Sequence, residues 1–105
     1  MIISRFNMSP LSLIEQLPVN TLEPFIEGAP ESLQEVTVND GSWRSYTEKS
    51  FTYQWQLDGV DIVGATAKTL LILVGMIGKS LRCIVKCTNS KGFRLKATVA
   101  ITVLV

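Results

Sequence analysis

The stretch Phe51-Thr52-Tyr53-Gln54-Trp55-Gln56-Leu57-Asp58-Gly59-Val60-Asp61-Ile62 decides the fold. From Phe51 to Leu57 every second residue is apolar, three of the four being aromatic, and the residues between them are Thr52, Gln54 and Gln56. Successive side chains of a strand point to opposite sides, so this period of two predicts an antiparallel strand buried on one face. Asp58-Gly59 follows at once. Both residues tolerate the positive φ of a two-residue hairpin turn, so the chain is expected to fold back through Val60, Asp61 and Ile62.

The same period recurs on both sides of this hairpin. Residues 80–88 alternate Leu81, Cys83, Val85 and Cys87 with Arg82, Ile84, Lys86 and Thr88. Asn89-Ser90-Lys91-Gly92 reads as a tight turn, and residues 93–103 alternate Leu95, Ala97, Val99, Ile101 and Val103 with polar or small residues. Residues 69–74 form a continuous apolar strand, with Gly75 and Gly78 bracketing a turn, and residues 33–38 form one before Asn39-Asp40-Gly41. About six or seven short strands separated by turn signals predict an all-β fold, a β-sandwich of antiparallel strands.

The first thirty residues have a different texture. They hold all four prolines, Pro10, Pro18, Pro24 and Pro30. Proline cannot donate to a sheet ladder, so residues 1–27 are expected to form an extended N-terminal arm and residues 28–105 the sandwich domain. Within the arm Ser9-Pro10 offers an N-cap and first helical residue, and Leu13, Ile14 and Leu17 share one face before Pro18. A helix of about two turns is unstable alone in water. Leu13, Ile14, Leu17 and Phe25 are therefore the candidate docking residues of the arm.

Composition limits the chemistry. With 105 residues, 47% of them apolar, the chain is long enough for one domain with a core of its own. It contains no histidine, which removes Ser/His and Cys/His dyads and every zinc site that requires imidazole. The longest apolar run, 69–78, is about half the span a bilayer requires, so no membrane insertion is expected. The N-terminus lacks the basic and apolar regions of a secretory leader, which points to a reducing cytosol. Net charge is +1, but it is unevenly spread. Residues 1–48 carry seven acids against Arg5 and Arg44, whereas residues 49–105 carry eight bases against Asp58 and Asp61.

Each candidate site has a plainer competitor. Asp58 and Asp61 flank a turn, but two carboxylates fall well short of the roughly six to eight oxygens calcium takes, so no metal is expected. Lys49-Ser50 and Lys79-Ser80 are adjacent pairs whose side chains point to opposite faces of a strand, which makes them unfit for catalysis. No cofactor is expected and the chain reads as non-enzymatic. Arg82, Lys86, Lys91, Arg94 and Lys96 are expected to form a basic face on the last two strands. Aromatic stacking partners beyond Phe93 are missing, which argues against nucleic acid. An acidic partner fits better, supplied by the chain's own N-terminal half or by a second copy in an assembly. Trp55 belongs to the core face of its strand. Trp43, beside Gly41, is open to two readings, core residue or sugar-stacking surface.

These motifs together resemble those of bacterial and phage immunoglobulin-like domains. The resemblance rests on Gly28, Leu33, Gly41-Ser42-Trp43, Tyr53-Gln54-Trp55, Asp58-Gly59, Ile62-Val63-Gly64-Ala65-Thr66, Gly78, Leu81-Arg82-Cys83 and Thr88-Asn89-Ser90-Lys91-Gly92, in that order. It implies an immunoglobulin-like β-sandwich of about seven antiparallel strands. The chain departs from that pattern in two ways. Cys83 has no partner cysteine in residues 33–38, and Cys87 lies about 13 Å along the same strand, beyond the roughly 4.4–6.8 Å a disulfide spans. Both thiols are expected to be free and buried. Leu81 also stands where such domains often carry a corner tyrosine, so that corner must rely on apolar packing.

The resemblance further implies a virion protein of a bacteriophage, most simply a capsid decoration protein. On that reading the arm docks on the major capsid protein or another virion protein, in the host cytoplasm, and the domain is exposed on the particle surface. A small tail or neck component is a variant of it. The rival is an adhesion module for carbohydrate or a host-cell surface, with Trp43 and the turns at Asp58 and Ser90 in contact with a glycan.

Overall fold

The computed structural model describes residues 16–105. The helix expected after Ser9-Pro10, with Leu13 and Ile14, lies outside the described residues. The described chain forms β1 (Val19–Leu22), β2 (Phe25–Glu27), β3 (Glu35–Asn39), β4 (Ser42–Arg44), β5 (Ser50–Leu57), β6 (Val60–Asp61) and β7 (Thr69–Leu71). A 3-10 turn at Val74–Met76 leads to β8 (Ser80–Asn89), β9 (Gly92–Ala97) and β10 (Ile101–Thr102).

Two sheets carry the core. One has the order β2-β3-β7, and the other runs β6-β5-β8, with β9 and β10 both paired to the far side of β8. A separate ribbon joins β1 to β4. Every strand pair is antiparallel. Val36 and Val38 of β3, with Ile72 just past β7, share one buried cluster with Trp55 of β5 and with Leu81, Cys83, Val85 and Cys87 of β8. The fold is thus all-β, two sheets packed face to face as a sandwich. The longest ladder, β5 on β8, runs from Ser50↔Thr88 to Leu57↔Leu81 and sets Trp55 opposite Cys83.

The hairpin legible at Asp58-Gly59 forms as its chemistry requires. Asp58 has φ 50° and Gly59 φ 81°, two successive left-handed residues, and Leu57 pairs with Val60 across them. Asp58 is further held to the next strand, its N–H donating to the Ser80 carbonyl at 2.7 Å and its Oδ1 accepting from Ser80 N at 2.9 Å. The chain after β6 stays against Trp55: Trp55 N donates to the Ala65 carbonyl, and its indole Nε1 donates to the Ala67 carbonyl at 2.8 Å.

Three segments differ from their sequence-based expectation. Residues 19–27, expected within the arm, form β1 and β2. β2 pairs with β3 through Phe25↔Asn39, Ile26↔Val38 and Glu27↔Thr37, so the expected boundary at 27/28 falls between paired strands. Pro18 and Pro24 are buried, and each lies just outside a strand, where the missing N–H costs no ladder bond. The apolar run 69–74 is a strand only to Leu71. Ile72 turns into the core while Leu73 and Val74 are exposed.

Residues 93–103 form two strands with an irregularity between them. Ile84 pairs with Ala97 but Leu81 pairs with Ile101, so three steps along β8 are matched by four on the other strand. Thr98 stays in register with Cys83, donating its N–H to the Cys83 carbonyl and accepting the Cys83 N–H on Oγ1 at 3.0 Å. Val99 and Ala100 therefore stand together opposite Arg82, a β-bulge. The extra residue reverses which side chains face inward: before it the even residues turn in, so Leu95 is exposed and Thr98 buried, and after it the odd ones do, so Val103 is buried.

Candidate interaction surface

Directly paired residues of an antiparallel ladder share a face, so the registers assign each side chain to one side of its sheet. On the outer face of the larger sheet β9 presents Phe93, Leu95 and Ala97 opposite Thr88, Lys86 and Ile84. Behind them β5 presents Thr52, Gln54 and Gln56, the last opposite Arg82. Lys86 Nζ lies 4.2 Å from the centroid of the Phe93 ring, a cation–π contact. Arg82 Nε donates to Gln56 Oε1 at 2.7 Å, and Gln56 Nε2 donates to Asp61 Oδ1 at 2.7 Å. These bonds hold the polar half of the face flat beside an apolar strip in which Phe93 is 49% and Leu95 54% exposed.

The expected single basic face is divided. Arg94 pairs with Cys87 and Lys96 with Val85, both core-facing residues, so Arg94 and Lys96 belong to the inner side of β9 while Arg82 and Lys86 belong to the outer. All five bases were assigned to one face by sequence; the turn at Ser90-Lys91 determines which parity of β9 meets which parity of β8. Arg94 and Lys96 remain exposed because β9 is an edge strand. Charges pointing inward on such an edge oppose edge-to-edge pairing with another chain.

The outer face of β2-β3-β7 is built from Phe25 and Glu27 of β2, Glu35 and Thr37 of β3, and Thr69 and Leu71 of β7. Phe25, expected as an arm residue, is thus an exposed member of a sheet. Leu17, also expected in the arm, is half-buried near the β8–β9 turn, where a Cβ on Gly92 would meet its Cδ2 at 2.7 Å. Asn89 Nδ2 donates to the Gln16 carbonyl there at 2.9 Å, so the first described residues are fastened at that pole.

Trp43 is corrected from a possible surface contact to a core residue. Its side chain is 8% exposed, its ring meets Phe51 edge to face at 6.3 Å, and its Nε1 donates to the Asp40 carbonyl at 2.8 Å. With both ring and donor engaged it presents no platform for a sugar.

Asp40 is a feature that sequence reasoning treated only as a turn residue. Its Oδ1 accepts from the Tyr53 hydroxyl at 2.7 Å and its Oδ2 pairs with Lys68 Nζ at 3.4 Å. Burial, reinforced by Asp40, holds the Tyr53 hydroxyl well above the ordinary phenol range. Cys83 and Cys87 are free and buried. Burial pushes the Cys83 thiol up to about 12 and the Cys87 thiol upward as well, so both stay protonated and poorly nucleophilic at neutral pH. Asp58 and Asp61 bind the framework, through Ser80 and Gln56.

At the opposite pole Leu33 adopts φ 67°, a strained conformation for a bulky side chain, while its N–H donates to the Ile72 carbonyl. Among the described residues no helix is long and apolar enough to cross a membrane. No family model matches the chain, and neither does any curated protein or solved structure.

Proposed function

We propose that the chain is a non-catalytic, immunoglobulin-like module that works through its outer faces as an accessory protein of a bacteriophage particle, in the first instance as a capsid decoration protein. The observation that carries the reading is the pair of large apolar side chains on each outer sheet face, Phe25 with Leu71 and Phe93 with Leu95. Adjacent apolar side chains displayed beside charge, as Phe93 and Leu95 are beside Lys86, are a feature of surfaces that meet another macromolecule. The strand order supports the immunoglobulin-like part. β2, β3 and β7 lie in one sheet while β5, β6, β8 and β9 lie in the other, so the chain crosses between sheets after β3, after β6 and after β7. On this reading the arm docks on the major capsid protein or another virion protein, and the β8–β9 pole, where Asn89 holds the Gln16 carbonyl, is the end of the sandwich nearest to it.

The test is a truncation placed by the fold. Removing residues 1–15 spares β1 and β2, which a cut at residue 27 would delete. The tagged full chain is expected to sediment with phage particles from an infected-cell lysate, and the truncated chain to keep its melting temperature but lose that association. A full chain found only in the soluble fraction, or a truncated chain with unchanged particle occupancy, contradicts the proposal.

A further inference from the structure

The uneven charge of the sequence becomes a front and a back in the fold. Described residues up to 48 carry Glu23, Glu27, Glu31, Glu35, Asp40 and Glu48 against Arg44, and the strands β2 and β3 lie within them. Residues from 49 onward carry eight bases against two acids and supply the whole of the larger sheet. β7, the segment that crosses back to join β3, contains no charged residue. The outer face of β2-β3-β7 therefore bears Glu27 and Glu35 without a base, and the outer face of the larger sheet bears Arg82 and Lys86. Asp61 is the acid on that second face, at its β6 margin and bonded to Gln56.

Among the described residues neither set of charges is neutralised by an ion pair. Among the described residues the one ion pair is Lys68–Asp40, and it involves neither face. Each face also places two half-exposed hydrophobic side chains beside its charges: Phe25 at 43% and Leu71 at 49% on the acidic side, against Phe93 and Leu95 on the basic side. On the smaller face Glu27 and Glu35 lie between Phe25 and Leu71, and on the larger face Lys86 stands beside the Phe93–Leu95 edge. Each face thus sets apolar side chains beside charge of one sign, and the two signs are complementary from front to back.

We infer that a second copy of this chain is the partner of both faces, the acidic β2-β3-β7 face of one copy seating on the basic β5-β8-β9 face of the next. Like faces repel, so a two-fold dimer through either face is disfavoured, and the contact is heterologous: it repeats into a ring or a file of subunits. Arg94 and Lys96 on the inner side of β9 oppose strand addition at that edge, beside the basic face. The charges are at the surface, so the contact is weakened by salt, with a Debye length of about 10 Å at 0.1 M. The inference stands on charge and register alone and does not depend on the particle reading.

Sedimentation velocity of the full chain, with charge-reversed variants, tests it. At low ionic strength the chain is expected to form species that grow with concentration beyond a dimer, and raising salt from about 0.02 to 0.5 M shortens the screening length several-fold and is expected to return it to monomer. Glu27→Lys with Glu35→Lys, and separately Arg82→Glu with Lys86→Glu, are each expected to be monomeric, because each makes both faces the same sign. An equimolar mixture of the two is expected to associate again, since every face then meets its opposite. Phe93→Ser with Leu95→Ser leaves all charges in place and is expected to lower association as well, which covers the case of a reversed variant that does not fold. A monomeric wild-type chain at low salt overturns the inference. So does a dimer that stops growing, or a mixture of folded variants that fails to restore association.

Discussion

The hydroxyl of Tyr53 donates to Asp40 Oδ1 at 2.7 Å, and this bond ties the aromatic strand of one sheet to the turn that ends β3 in the other. Asp40 is held in place by its neighbours, Lys68 on the second carboxylate oxygen and the Trp43 indole on its carbonyl. Tyr53→Phe removes one hydrogen bond to a charged acceptor and keeps the ring. It is expected to lower stability by about 1–2 kcal/mol in urea unfolding, with no change in the slope of the transition. A loss below a few tenths would mean the bond contributes nothing to holding the sheets together.

Stability is expected to fall in alkali, beginning near pH 9. Tyr53, Cys83 and Cys87 all have folded-state pKa values raised above their unfolded ones. A raised group contributes its stability below the unfolded pKa and loses it as pH rises toward the folded one, because between the two values the unfolded chain has released a proton the folded chain still holds. Melting temperature measured from pH 7 to 11 is expected to drop above pH 9, and Cys83→Ala is expected to flatten that drop while lowering the value at pH 7. An unchanged alkaline slope in the variant would remove Cys83 from the account.

Trp43→Ala is expected to cost about 3–5 kcal/mol, as truncation of a buried aromatic does. It also releases the Asp40 carbonyl and the edge contact with Phe51. A variant that keeps full stability would return Trp43 to the surface.

Two backbone positions give opposite expectations. Leu33 is exposed and left-handed, so Leu33→Gly relieves a strain of about 1 kcal/mol and loses little burial; its melting temperature is expected to rise or hold. Gly41 is left-handed at φ 74°, and a Cβ there would run into the Leu22 carbonyl oxygen in the β1–β4 ribbon. Gly41→Ala is expected to be strongly destabilising, because the obstacle is backbone that cannot step aside. Thermal unfolding of both variants checks the pair.

How far the fold was legible in sequence depended on the range over which each signal acts. β5, β8 and the turns at Asp58-Gly59 and Ser90-Lys91 follow from alternation and turn chemistry within a few residues. β1 and β2 were missed because three or four residues between prolines carry too little pattern, and their pairing is decided by distant β3 and β4. The bulge at Val99-Ala100 has no local mark, since the run keeps alternating in sequence while the ladder gains a residue. The bulge turned residues 101–103 to the opposite parity from β9, while the turn at Ser90-Lys91 alone separated Arg94 and Lys96 from Arg82 and Lys86. The acid and base halves of the chain were visible at once; their arrival on opposite faces was not, because it depends on β7 crossing back to β3.

The central claim is that the two sheets close over the inner face of β5 and β8, which is what leaves only outer faces to act. Thiol labelling of the native chain with a small disulfide reagent tests it most directly, since Cys83 and Cys87 both lie on that face. Neither thiol is expected to react until urea unfolds the chain, and both then to react together. Rapid labelling of either one in the native state would show that the sheets do not close over it and would contradict the account.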